Sequence, residues 1–275
     1  MSVINTNVKS LITQAALERN ARDLGVAMHR LSTGKRINTA ADDAAGLAIS
    51  NKVTSQIKGL DQAVRNANDA IAMMQTAEGA TIEVTNMLQR MRELAVQAAN
   101  GTNSSVNQSA LQAEFSQLQA EISRISDNTE WNGMKVIGAS AGTYNYQIGA
   151  NSGQQLSVVF KDLDGASMSA VQSAVGTSLS ASWTTAIGDL DRAIAEIDSF
   201  RADLGSKMNR LEYTVDNLNN VSINTSESRS RILDANYAAE SSELSRTQII
   251  QQAATAVLAQ ANVDQQSVLK LLQGG

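Results

Sequence analysis

The chain has 275 residues, with 22 basic against 27 acidic side chains and a net charge of −5. With no basic run, this balance argues against nucleic acid as a main partner. Cysteine and proline are both absent, so disulfide and thiolate chemistry are closed off and nothing forces a kink in a long helix.

Apolar residues make up 43% of the chain but aromatic residues only 3%, less than a compact enzyme core usually carries. No stretch approaches the ~18 apolar residues of a membrane span. The opening "MSVINTNVKSLIT" lacks a charged segment followed by an apolar block, so no cleaved secretory signal is predicted.

Along the chain, Ile4, Val8, Leu11 and Ala15 form one helical stripe. Leu17, Ala21, Leu24, Met28 and Leu31 form a second, offset in phase. "STGKRIN" ends this predicted helix, with Gly34 as its C-terminal cap. Residues 37–50, "INTAADDAAGLAIS", place two adjacent acids among alanines. Thr39 stands three residues before Asp42, a capping-box-like spacing in which Thr39 accepts from a backbone N–H near Asp42. Asp42 and Asp43 then fall in the first helical turn, where the dipole favours carboxylates. A metal site at this pair would need further ligands, and the chain offers one histidine, His29, and no cysteine. A helix start is the preferred expectation.

A very long helix is predicted over about 41–99, with the seam Ile57, Leu60, Val64, Ala67, Ile71 and Met74. "NGTNSS" stops it, Asn100 and Gly101 suiting a left-handed cap. A third helix carries Leu111, Phe115, Leu118, Ile122 and Ile125, and "DNTEWNG" breaks its rhythm. "TYNYQIG" and "QQLSVVF", joined by "ANSG", alternate as a β-hairpin at about 142–161, the one strand pair predicted. Residues 161–182 are rich in Gly, Ser and Ala and receive no assignment.

A fourth long helix shows Ile187, Leu190, Ile194, Ile197, Leu204, Met208, Leu211, Val215 and Leu218 in heptad register, interrupted only by Arg201. At the C-terminus Ile250, Ala254, Val257, Ala261, Val268 and Leu271 continue the rhythm. The predicted fold is mainly α, with long helices in a coiled-coil or helical bundle and one small β-hairpin. Among the first 16 residues only Lys9 is charged. A lone narrow helix cannot bury such a stripe, so the terminal helices are expected to pair with each other and with other copies. Head-to-tail contacts that do not close generate filaments. The residues assigned to self-assembly are Leu17, Leu24, Met28, Leu31, Ile250, Val257, Val268 and Leu271.

Several blocks carry a resemblance. They are "INTNVKSLITQAALERNARDLGVAMHRLSTGKRINTAADDAAGLAIS", "QRMRELAVQAANGTNS", "WNGMKVI", "YQIGANSGQ", "RLEYTVDNLNN" and "SRILDANYAAESSELSRTQIIQQAATAVLAQAN". In this order they resemble bacterial flagellin over about four-fifths of the chain. The resemblance implies a structural subunit, not an enzyme, that polymerises into the hollow filament bacteria rotate to swim. It implies an inner-tube helix at 1–40, an outer-tube domain at 41–180 and 181–232, and an inner-tube helix at 233–275. Thr39, Asp42 and Asp43 would then sit at the joint between the tubes. Only about 50 residues separate the matching halves, so large outer domains are absent.

Export unfolded through the flagellar type III apparatus, without a cleaved signal, is implied as well, to an extracellular location in the filament. So are an export chaperone at the C-terminal helix and contacts with hook-junction and cap proteins. No cofactor, metal, nucleic acid or membrane insertion is implied. "QRMRELAVQAANGTNS" resembles the segment that engages a host Toll-like receptor; carried over by position, Arg90, Leu94 and Glu114 would be the contacts. Arg90 could equally pair with Glu93 on one helix face. Two departures stand out: Gln265 replaces a proline common in relatives, and the tail runs on to "QGG".

The competing readings are a hook–filament junction protein, which the full "RELAVQAANGTNS" block disfavours, and a coiled-coil adhesin or binding module of fixed oligomeric size. His29 reads as a helix-surface residue, and Trp131 and Trp183 as packing anchors. The Ser/Thr content of 161–185 is compatible with O-glycosylation.

Overall fold

A computed structural model describes residues 6–139, 141–163, 168–176 and 183–273, with side chains of the last helix described as far as Asp264. The elements in order are α1 (Val8–Thr33), α2 (Ala44–Ala98), α3 (Ser105–Asn128), β1 (Glu130–Trp131), β2 (Met134–Lys135), β3 (Thr143–Gln147) and β4 (Gln155–Val159). They are followed by α4 (Ser169–Gly176), α5 (Trp183–Leu233) and α6 (Tyr237–Gln273). The chain divides into two compact units: Met1–Ser55 with Asn224–Gly275, and Gln56–Ile223. Helices α2 and α5 contribute residues to both.

The second unit holds the main core. On α2, Ala67, Ala70, Met74, Ala77, Thr81, Val84, Leu88, Met91 and Ala95 are all fully buried, at alternating spacings of three and four. That is the heptad stripe of coiled-coil packing, and its alanines let a partner helix come close. On α3 the predicted seam is the packed one: Phe115 and Ile122 are fully buried and Leu111, Leu118 and Ile125 flank them. Ser104 caps α3 by accepting from the Asn107 amide at 3.3 Å.

On α5, Leu190, Ile197, Leu204 and Leu211 are fully buried as the stripe requires. Where that stripe meets Arg201, the adjacent Phe200 takes the core position instead. All three phenylalanines of the chain, Phe115, Phe160 and Phe200, are in this core, so the few aromatic rings present are concentrated there. Burying each contributes on the order of 1.5–3 kcal/mol.

Strands β3 and β4 pair antiparallel, Tyr144 opposite Val158 and Tyr146 opposite Leu156, at the place expected. The Phe160 ring meets Tyr144 edge-on at 5.7 Å. The expectation of a single hairpin is corrected: β1 and β2 form a second, with Trp131 opposite Met134. Its turn is Asn132–Gly133, both with positive φ (50° and 75°), the combination a two-residue primed turn requires. A two-residue strand is too short to alternate, so periodicity could not reveal it. Within the segment left unassigned, Val171 and Ala174 of α4 enter the core. The Ala170 amide at the start of α4 donates to Glu196 Oε2 on α5 at 3.0 Å.

Candidate functional site

In the first unit α1 and α6 lie antiparallel along each other. Asn7 Nδ2 donates to the Ala261 carbonyl at 3.1 Å and Asn20 Nδ2 to the Thr247 carbonyl at 2.8 Å. Arg30 Nη1 reaches Glu240 Oε1 at 3.1 Å. Partners descend along α6 as they climb along α1.

The pair is latched at one end. Gly34, at φ 69°, caps α1 by donating its N–H to the Arg30 carbonyl. Just beyond it, the Arg36 amide donates to the Leu233 carbonyl at 2.7 Å and the Ala235 amide to the Gly34 carbonyl at 3.0 Å, around an antiparallel bridge between Lys35 and Asp234. Asn236 starts α6, its Oδ1 accepting from the Ala238 amide at 3.1 Å.

The buried or half-buried stripe of α1 is Ser10, Thr13, Leu17, Asn20, Leu24, Ala27 and Leu31. On α6 it is Glu240, Leu244, Thr247, Gln251, Ala254, Leu258 and Ala261. Both alternate at three and four, the pattern of two helices packed knobs into holes. Of the α1 residues assigned to self-assembly, Leu17, Leu24 and Leu31 are therefore half-buried in this stripe, while Met28 is exposed. Ala21, placed in the same predicted seam, is exposed too, and Asn20 and Ala27 take the intervening positions. On α6, Ile250 and Val257 are exposed. Val268 and Leu271 lie outside the residues whose side chains are described.

Polar members hid this register from sequence inspection. Asn20, exposed by only 6%, and Thr247, by 1%, are buried where an apolar pattern search looks for leucine. The available signal was an Asn seven residues before Ala27 and three after Leu17.

The remaining apolar groups point elsewhere. Val8, Leu11 and Ile12 are each more than half exposed, and a helical wheel places them, with Ala15, on the side of α1 opposite its stripe. Ile249 and Val263 stand likewise on α6, exposed by 66% and 55%. Between Thr247 and Val263 the sequence holds no charged side chain. Exposed apolar side chains gathered on the side of a helix away from its partner mark a surface for a further contact.

At the second candidate position the hydrogen bonds differ from the expected cap. Asp43 Oδ1 accepts from the Gly46 amide at 2.9 Å, and the Asp43 carbonyl accepts the first helical bond, from Leu47, at 3.0 Å. Asp43 is thus the N-cap of α2, with Ala44 as its first helical residue. Asp42 precedes the helix. Its Oδ2 accepts from the Thr39 amide at 2.8 Å, the Asn38 amide at 3.1 Å and the Thr39 hydroxyl at 3.0 Å. Those bonds, the Thr39 amide first, hold the Asp42 carboxyl below the usual carboxylate range. Thr39 donates to the acid; the box is inverted because a charged carboxylate is the better acceptor.

Arg90 and Glu114 meet at the surface. Arg90 Nε and Nη2 donate to Glu114 Oε1 at 3.0 and 2.8 Å, while Nη1 donates to Glu93 at 2.9 Å. These bonds, that to Glu93 foremost, raise the guanidinium pKa further. Leu94 is not part of that surface. It is fully buried in the core of the second unit, one turn below Arg90 on α2. His29 is exposed on α1, and Trp131 and Trp183 pack against the core. Residues 164–167 and 177–182 of the Ser/Thr-rich segment lie outside the described residues.

This arrangement has close counterparts. The model of the bacterial flagellin N-terminal helical region matches residues 4–141, and that of the C-terminal helical region matches residues 187–272. A flagellin of Halalkalibacterium halodurans is 44% identical over 274 residues, covering 98% of this chain and all of the relative. Flagellin A of Vibrio cholerae is 34% identical over a 376-residue alignment that covers 98% of this chain and 99% of the relative, so it carries extra residues between the shared ends. The crystal structure of Bacillus cereus flagellin superimposes with a TM-score of 0.51 at 34% identity, over 56% of this chain and 88% of that one. With both terminal regions matched and a 44% identical relative covered over its whole length, the chain belongs to the bacterial flagellin family.

Proposed function

We infer that the α1–α6 pair is the polymerising element of this flagellin, a structural subunit of the extracellular flagellar filament. One observation carries the inference: the pair uses up one stripe of each helix and leaves a second apolar side, Val8, Leu11 and Ile12 with Ile249 and Val263, in water. Each such side chain gains on the order of 1.5–3 kcal/mol when covered by another copy. The surfaces on α1 and α6 are not the same, so contacts between copies are heterologous and can extend without limit.

The test is elongation of purified monomer on filament fragments, followed by electron microscopy. Ile12→Asp keeps the α1–α6 stripe intact and is expected to abolish growth on seeds while leaving the helical circular dichroism signal unchanged. Normal filaments from this variant would refute the assignment.

Finer partners belong to the same proposal. The uncharged side of α6 is the surface offered to an export chaperone before assembly, and hook-junction and cap proteins meet the terminal helices at the filament ends. Export proceeds through the type III apparatus without signal cleavage. For the host receptor, the exposed Arg90–Glu114 pair is the proposed contact, and Leu94 supports it from the core. Monomer carrying Arg90→Asp should lose most signal in a receptor reporter assay; an unchanged dose response would remove the pair from that role.

A further inference from the structure

The chain holds two Asn–Gly pairs, Asn100–Gly101 and Asn132–Gly133, and the fold treats them differently. All four residues are exposed. A glycine after asparagine leaves its main-chain nitrogen unobstructed, because it carries no Cβ. Asn132 is a central residue of the two-residue turn between β1 and β2, at φ 50°. In such a primed turn the first central ψ is about +30°, which turns the Gly133 nitrogen away from the Asn132 side chain. The flanking Trp131–Met134 pair holds the turn closed, and both residues pack against the core.

Asn100 occupies another position. It is the first residue of a turn closed by the Asn103 amide donating to the Asn100 carbonyl at 3.1 Å, with Gly101 and Thr102 in the centre. A turn fixes the dihedrals of its central residues, not those of its first. The Thr102 amide donates to Asn100 Oδ1 at 3.3 Å, so the side chain lies back along the peptides that follow it and its carbonyl is polarised. Among the described residues the Gly101 amide donates to no group.

We propose that Asn100 is a site of spontaneous deamidation in the folded chain, and that the β1–β2 turn shields Asn132 from the same reaction. Hydroxide takes the proton of the Gly101 amide, and the nitrogen attacks Asn100 Cγ. The new C–N bond closes a succinimide ring, and the old one breaks as ammonia leaves with a proton from water. Water then opens the ring at either carbonyl, giving aspartate or isoaspartate. Nothing is oxidised or reduced. The product adds a negative charge between α2 and α3, and in the isoaspartate form an extra main-chain methylene. For Asn132 the same attack requires rotation about its Cα–C bond, which the paired strands prevent until the hairpin opens.

The experiment incubates the full-length chain in mildly alkaline buffer and follows both sites by peptide mass spectrometry, with a parallel incubation in urea. Asn100 is expected to convert about tenfold faster than Asn132 in the folded chain, the ratio that a modest cost of opening the turn produces. In urea the two rates should converge. Gly101 lies outside the left-handed region and nothing stands within 4 Å of an added Cβ, so Gly101→Ala should fold normally. That Cβ shields the nitrogen and should slow conversion at Asn100 about tenfold, leaving Asn132 unchanged. Conversion first at Asn132, or an Asn100 that stays intact in the folded chain, would overturn the site. A ratio that persists in urea would show that the fold is not what distinguishes the pairs. An unslowed Gly101→Ala would exclude attack by that nitrogen.

Discussion

Single residues in this chain act mostly through what they accept or displace. Asp43 and Asp42 are neighbours with different tasks: one accepts from the Gly46 amide in the first turn of α2, the other ties the preceding turn to itself. The carboxylates were visible in the sequence, and so was the start of a helix there. Which acid caps was not, because that depends on whether the helix begins at residue 41 or at Ala44, and spacing alone does not fix it. Tyr146 gives a sharper handle. Its hydroxyl donates to Met73 Sδ at 2.8 Å, and burial, followed by the neighbouring Tyr144, pushes its phenol up to about 12. The folded state therefore holds this proton more tightly than the unfolded one. The stability this supplies is complete below about pH 10, the ordinary tyrosine value, and is lost as pH rises through about 12. The thermal midpoint is expected to fall more steeply above pH 10 in the native chain than in Tyr146→Phe; parallel profiles would show that this phenol is not responsible.

At the scale of elements, the number and order of long helices were legible because stripes such as Leu190, Ile197, Leu204 and Leu211 repeat over many turns. Three features were not. The β1–β2 hairpin offers only an Asn–Gly turn and two residues a side. Phe200 replaces Arg201 in the α5 core by a shift of one position, which no period resolves. The α1–α6 register is set by Asn20, which reads as polar surface until its partner, Thr247, is placed opposite. A buried amide in an apolar stripe specifies register at a cost in stability. The Thr247 carbonyl lies within a continuous helix, so removing Asn20 strands no helical acceptor. Asn20→Leu is therefore expected to slow amide hydrogen exchange in α1 and α6 while making their pairing less exclusive. Faster exchange in the variant would mean that the amide is a net source of stability.

For the whole molecule, the division of labour follows from where the apolar side chains are. Gln56–Ile223 encloses the main core, which takes in every phenylalanine and the fully buried methionines. The terminal pair has a thin, partly polar stripe and an unspent apolar side. Removing residues 1–30 should thus end seeded filament growth while the helices of the second unit keep their cooperative melting, followed by circular dichroism. Truncated chains that still grow normal filaments would place the polymerising surface elsewhere. This much of the function was readable from composition: a stretch with one charge in its first 16 residues cannot be content as a solitary surface helix.

The hydrogen bonds that join the terminal helices span sequence separations of 254 and 227 residues. At ribosomal speeds of about 5–20 residues per second, α1 emerges on the order of ten to fifty seconds before its mate exists. Throughout that interval Leu17, Leu24 and Leu31 have nowhere to dock. The nascent protein is thus kept pliant at its leading end by the order in which it is written, and its sticky fork closes only once the distant second tine has been delivered.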